Sequence, residues 1–302
     1  MIVVKPISVD IADLVTSSAA ISLYPEWSPT VHYNTGQRVY YQTMGAPYPH
    51  DWESLIDNNH NHPPGSDPLK WLDLGVSNRY AMFDAVVGTQ TQAPMSLDVT
   101  VRVGAIVTSV ILFGIDAGSI RVRLDDPAEG IVYDNTIELT DYSPIINGYT
   151  YYFEAVNERQ SEIAILDLPA YPAADLIVNL DNGAGTAMCA EMVIGEQRVL
   201  GVSNFGTQIG LRSYSRKDVD EFGNFVIVPR RFVKTADYDV TYETQNLATI
   251  QRRFSELLDI PAVYIGDPNR IETIIYGFFE DFQTVISEPS ISNGTVRVQG
   301  LV

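Results

Sequence analysis

The sequence predicts a mainly β protein in three parts: a small aromatic-rich β module, an antiparallel β-sandwich that is jelly-roll-like, and a C-terminal α+β domain with one helix. Three observations predict it. Residues 97–103 (LDVTVRV) and 119–124 (SIRVRL) alternate apolar and polar side chains, the period of a strand with one buried face. Gly, Pro, Asn and Asp interrupt such runs at short intervals, as turns between sandwich strands do. Only residues 246–258 (NLATIQRRFSELL) space their apolar residues as a helix does, through Leu247, Ile250, Phe254, Leu257 and Leu258, and Pro261 closes that run.

Residues 1–23 open on the strand-like Ile2-Val3-Val4 and read as an N-terminal tether. Residues 24–75 hold all three Trp of the chain (Trp27, Trp52, Trp71) and all four His, with few aliphatics and many turn formers. A unit of this composition must core itself on stacked rings, and some rings are expected to face water. Short strands are expected at 37–41, 52–56 and 70–72, around a long irregular loop at 57–68 rich in Asn, His and Pro. Residues 76–200 form the sandwich, with further strands expected at 107–113, 130–133, 136–139, 149–153, 162–166, 175–180 and 187–194. Residues 201–302 add strands at 225–228, 239–242, 262–266, 273–279 and 295–298 around the helix.

The 302 residues carry a formal net charge of -19, spread along the chain. Such a field repels phosphate, so neither nucleic acid nor anionic lipid is expected as a partner. One cysteine, Cys189, leaves no intrachain disulfide, and its apolar neighbours mark it as an inert buried thiol in a reducing compartment. Residues 1–6 lack the basic region and long apolar run of a signal peptide, so synthesis in a cytoplasm is expected. The most apolar window, 104–115, is shorter than the roughly 20 residues of a bilayer span, so no membrane insertion is expected.

No nucleophile elbow, phosphate loop or zinc-helix motif occurs. Glu280 and Asp281 are adjacent in a strand-like stretch and point to opposite faces. No catalytic residue, cofactor or metal is assigned, and the chain is not expected to be an enzyme. His60 and His62 share a face if extended, and need Asp57 or Asp67 to complete a metal site; the plainer reading is a polar loop. Asp125, Asp126, Asp181 and Asn182 offer either calcium ligands or ordinary turn chemistry.

The candidate carbohydrate contacts are Trp27, Tyr33, Tyr41, Tyr48, Trp52 and Trp71, whose rings can stack on sugar faces, with Asn58 and His60 supplying hydrogen bonds. Any one of these rings can equally belong to the module's core. Two basic pairs in an acidic chain, Arg230-Arg231 and Arg252-Arg253, are candidate contacts to the acidic surface of a neighbouring subunit, against the plainer reading of a solvated face.

Two stretches resemble known families. Trp27, Tyr33, Gly36, Val39-Tyr40, Trp52-Glu53-Ser54-Leu55, Pro63-Pro64 and Trp71 resemble the short chitin-binding-type carbohydrate-binding modules over about 50 residues. A broader pattern runs through Trp71-Leu72-Asp73-Leu74-Gly75, Asn78-Arg79-Tyr80-Ala81-Met82-Phe83-Asp84, Gly210-Leu211-Arg212-Ser213-Tyr214-Ser215-Arg216-Lys217, Asp220-Glu221-Phe222-Gly223-Asn224, Tyr276-Gly277-Phe278-Phe279-Glu280-Asp281-Phe282 and Val298-Gln299-Gly300-Leu301. In this order the motifs look like those of tail and baseplate proteins of tailed bacteriophages. That resemblance implies a virion component at the tail tip, made in the host cytoplasm and assembled as a homo-oligomeric ring. Its implied partners are other tail or baseplate proteins and a host cell-surface glycan. The alternative is a soluble carbohydrate-binding accessory or glycan-hydrolase domain.

Overall fold

The computed structural model describes residues 1–86, 88–140, 147–153, 159–219, 223, 225–286 and 288–301. The fold is mainly β, built on two large antiparallel sheets. Five strands form the smaller of the two, in the order Gly130–Glu138, Ser119–Asp126, Asp175–Cys189, Thr91–Val101 and Leu14–Ser17. Its inward residues are the apolar half of each alternating run: Leu97, Val99 and Val101, then Ile120, Val122 and Leu124, then Leu176, Val178 and Leu180. They pack against Val110, Leu112, Ile163, Ile165, Met192 and Ile194 of the larger sheet. Period-2 patterning thus becomes the sandwich core, because each strand turns its odd or even residues toward one face.

The larger sheet continues far beyond the sandwich. From Glu162–Ile165 it runs through Ser109–Phe113, Glu191–Val199, Ile2–Pro6, Ala262–Ile265, Ile274–Val285 and Ile291–Gly300 to Phe232–Glu243 and Val202–Ser203. The last two residues follow Val199 almost directly, so the sheet curls until the chain that leaves one of its strands joins the other end. The Leu200 N–H donates to the Met1 carbonyl beside this closure (3.1 Å). Gly201 makes the bend possible: a Cβ there would lie 2.6 Å from the Thr241 carbonyl oxygen. Inside the curl sit Val3, Tyr238, Tyr264, Val296 and Val298. The Tyr238 hydroxyl donates across it to the Thr273 carbonyl (2.8 Å). The helix Leu247–Ser255 turns Ile250 and Phe254 onto this core, with Phe254 stacked on Phe282 at 4.5 Å. Arg252 and Arg253 lie in its last turn, where the helix dipole favours cations.

The structure departs from the sequence expectations in three places. Residues 1–23 are not a tether, since Ile2–Pro6 is an interior strand paired on both edges. Val3 and Val4 face opposite sides and both are buried. The expected boundary at 200/201 falls where one strand bends into the next, so a single sheet spans both sides of it. Residues 149–153, expected as a strand, lie in the short helix Gly148–Phe153, with Tyr149 and Tyr152 exposed one turn apart. Strand propensity reflects packing on a half-buried surface, whereas Tyr149 and Tyr152 are exposed. Of the 220–224 motif, residues 220–222 and 224 lie outside the described residues.

The interior position of the first strand gives a direct test. A Cβ on Gly195 would stand 2.3 Å from the Lys5 carbonyl oxygen, a backbone atom that cannot swing aside. Gly195→Ala is expected to lower stability by at least about 2 kcal/mol. A thermal midpoint equal to that of the parent would show that the strand is not held there.

Candidate functional site

Residues 24–75 fold around their own rings. Arg38–Tyr41, His50–Ser54 and Trp71–Val76 make a three-stranded antiparallel sheet, and His32–Tyr33 pairs with Asn59–His60 beside it. The core is Tyr33, Val39, Trp52 and Trp71. Trp71 is 2% exposed; its indole donates to the His62 carbonyl (2.9 Å) and its ring meets Tyr33 edge to face at 5.5 Å. That one hydrogen bond fastens the Asn/His/Pro loop onto the sheet. Asn59, also buried, donates to Ser54 Oγ and the Lys70 carbonyl, closing the loop from its other end.

Four of the six candidate sugar-stacking rings are therefore interior. Tyr33 (6% exposed), Trp52 (8%) and Trp71 form the core, and Tyr48 (7%) is buried at the junction with the sandwich. A small sheet with no Leu/Ile filling has to spend its large rings on its own interior. Trp27 and Tyr41 remain half-exposed. They meet edge to face at 5.3 Å with an interplanar angle of 71°. The Trp27 N–H donates to the Tyr40 carbonyl and the Tyr40 N–H to the Pro25 carbonyl, so Trp27 is fixed to the edge of the strand that carries Tyr41.

His50 stands directly across the strand pair from Tyr41. Its Nδ1 lies 2.9 Å from both carboxylate oxygens of Asp73. The strip Trp27–Tyr41–His50–Asp73 thus sets two half-exposed rings beside two groups able to exchange hydrogen bonds with hydroxyls. Sequence reading missed His50 and Asp73. The usable signal was strand alternation, which puts Val39, Tyr41, His50 and Trp52 on one face.

Asn58 and His60 are exposed, as a contact role requires, but they are engaged with each other's neighbours. His60 stacks on His32 with ring centroids 4.1 Å apart, and His32 Nδ1 is 2.5 Å from Asn58 Oδ1. His62 instead lies against the Lys70 ammonium, which reaches its Nε2 at 3.0 Å. Among the described residues no group of three or more His, Cys, Asp or Glu side chains could hold a metal ion. Asp126 and Asp181 accept backbone N–H groups of Ala128 and Gly183 in their own turns.

Tyr48 marks a second feature, the joint between module and body. Its ring stacks on Tyr80 at 5.2 Å and its hydroxyl donates to the Val9 carbonyl. A cavity of about 440 Å³ opens there, lined by Pro6, Tyr48, Asp84, Glu191, Ile260 and Tyr276 among others. Glu191 is 4% exposed, and among the described residues its Oε2 has no hydrogen-bond partner. Burial, with the Asp84 carboxylate close by, raises Glu191 to about 8, and burial raises Asp84 as well. A glutamic acid inside the apolar run 187–194 was the sequence signal for this site.

The basic pairs divide between roles. Arg253 donates to the Val199 carbonyl (3.1 Å), tying the helix to the larger sheet. The Arg231 guanidinium folds onto Gly88, where an added Cβ would meet it at 2.5 Å. Both reach a neighbouring element of the chain, Arg253 half-buried and Arg231 still exposed. Arg230 and Arg252 are exposed.

A comparison with protein-family models and a comparison with characterised proteins each find no match for this chain. No helix among the described residues is long and apolar enough to cross a membrane.

Proposed function

We propose that this chain is a structural subunit of a bacteriophage tail tip or baseplate that presents its 24–75 module to a glycan of the host surface. The observation that carries this reading is a long two-stranded arm, built from residues 208–219 and 225–234, that leaves Leu211, Val219, Phe225, Val226, Ile227 and Phe232 exposed. Phe225 is 73% exposed and Leu211 71%. A chain that works alone gains nothing from such a surface, whereas an assembly subunit covers it on joining its neighbours. The aromatic module is carried on the body by the Tyr48–Tyr80 stack and keeps the half-exposed Trp27–Tyr41 pair, whose free ring surface supports contact with a sugar face.

A single shallow ring pair binds at about millimolar strength, roughly 4 kcal/mol. Copies held on one particle raise the apparent affinity by about 10²–10⁴ through effective concentration. The weak site and the assembly role therefore support each other. Particles are expected to label at the tail with an antibody to this chain, and the purified chain to be retained on host cell-wall glycan. Trp27→Ala with Tyr41→Ala should lower that retention by about tenfold or more while the fold persists, since neither ring is fully interior. Tails without label would remove the virion reading; undiminished retention would remove the ring pair.

A further inference from the structure

The arm is a continuous antiparallel ribbon. Gln208–Ser213 pairs with the first half of Phe232–Glu243, and Arg216–Val219 pairs with Phe225–Val228. The two sections are joined by the Tyr214 N–H donating to the Arg231 carbonyl (3.1 Å) and the Arg230 N–H donating to Ser215 Oγ (3.0 Å). Twelve residues at strand rise make each side about 40 Å long. Beyond the body the ribbon has only two strands, so both outer edges present unpaired backbone groups.

Its side chains compound this. Phe225 and Ile227 face one way and Val226 and Val228 the other, and all four are exposed. A free ribbon with two wet apolar faces is marginal in water and invites pairing. The charge is equally unusual. Six of the chain's 19 cations lie within 208–237 against four carboxylates, so the arm carries a formal +2 and the remaining residues -21. Among the described residues, Lys217 and Arg230 have no carboxylate partner.

We infer that the arm docks on an acidic face of a second copy of this chain, laying its apolar faces against that copy and setting Lys217 and Arg230 against its carboxylates. This rests on the assembly reading above and names its partner. Charge selects the partner: the surface that a +2 arm fits is one of strong negative charge, and the body of the same chain supplies it in every copy. The contact is heterologous, arm on one side and body on the other, so copies joined this way build a ring or a filament rather than a closed pair.

The test mixes chains of natural isotope composition with nitrogen-15-labelled chains and treats them with a zero-length carboxyl–amine cross-linker. Mixed-isotope cross-links from Lys217 to Asp or Glu of the body are expected. Two full-length variants are then weighed by light scattering: Lys217→Glu with Arg230→Glu, and Phe225→Ser with Ile227→Ser. Each should weaken self-association by about tenfold or more, and added salt should weaken the parent, because partly exposed charge pairs are screened. Thermal midpoints should hold, since these side chains are exposed. Assembly undisturbed by both variants overturns the arm contact and leaves the assembly reading standing. A parent chain that stays monomeric at its highest soluble concentration overturns both, and an arm that binds only some other protein overturns self-docking.

Discussion

A Trp71→Ala variant should lose the fold of residues 24–75 while the sandwich and the curled sheet stay folded. Trp71 is the most buried ring of the module, and its indole holds the 57–68 loop through the His62 carbonyl. Truncating a buried Trp costs about 3–5 kcal/mol, and the broken hydrogen bond adds about 1 kcal/mol. A unit of this size has little stability of its own, and its core holds only three other residues, Tyr33, Val39 and Trp52. The body does not share this core: its clusters are built mainly from residues of the two large sheets and of the helix Leu247–Ser255. Limited proteolysis should therefore cut inside 24–75 in the variant and leave the rest protected, with the main thermal transition in place. Protection of 24–75 equal to the parent's would mean that the module is held by its junction with the body rather than by its rings.

The local parts of this fold were legible in the sequence, and the long-range parts were not. Alternation over 97–103 and 119–124 predicts strands; the five-stranded sheet takes the first run as far as Val101 and the second whole. The helix at 246–258 was readable from Ile250 and Phe254 four residues apart, and both are buried in the observed helix. Ile2-Val3-Val4 also read as a strand, but nothing near it says that its partners are Glu191–Val199 and Ala262–Ile265. Pairing over such separations is a property of the whole chain, which is why a central strand looked like a tether.

The candidate site shows the same division. Composition correctly predicts a module cored on rings, and its Leu55, Leu69, Leu72 and Leu74 side chains face solvent instead. Which rings stay wet depends on where the 57–68 loop comes to rest, and that is decided by Trp71 and Asn59 hydrogen bonds that no spacing encodes. Tyr48 was counted with the module, yet its partner, Tyr80, lies outside it. The run at 225–228 read as an ordinary strand and is one, but its four apolar residues face solvent instead of a core. An all-apolar run promises burial, and here none of the described residues covers it.

Glu191→Gln should stabilise the protein progressively as pH rises from about 5 to 8. In the folded chain burial lifts Glu191 from the ordinary value of 4.5 to about 8. Between those values the folded state keeps a proton that the unfolded state has released. Stability must then fall as pH climbs, by about 1.4 kcal/mol for each unit inside that window. Asp84, raised mainly by burial, acts in the same direction. The groups around Glu191 cannot relieve it: Tyr48 is itself pushed up to about 12, the Tyr276 phenol and the Cys189 thiol are driven up by burial, and the nearby Asp84 is a like charge. Gln keeps the shape and the acceptor for the Ala85 N–H while removing the ionisable proton. Thermal midpoints of parent and variant should nearly coincide at pH 5 and separate steadily toward pH 8, the variant higher. Parallel curves would place the pH dependence elsewhere. Because this carboxyl lines the joint beneath Tyr48, the same titration should loosen the module before the body, and hydrogen exchange at 47–50 and 80–85 should quicken with pH faster in the parent than in the variant.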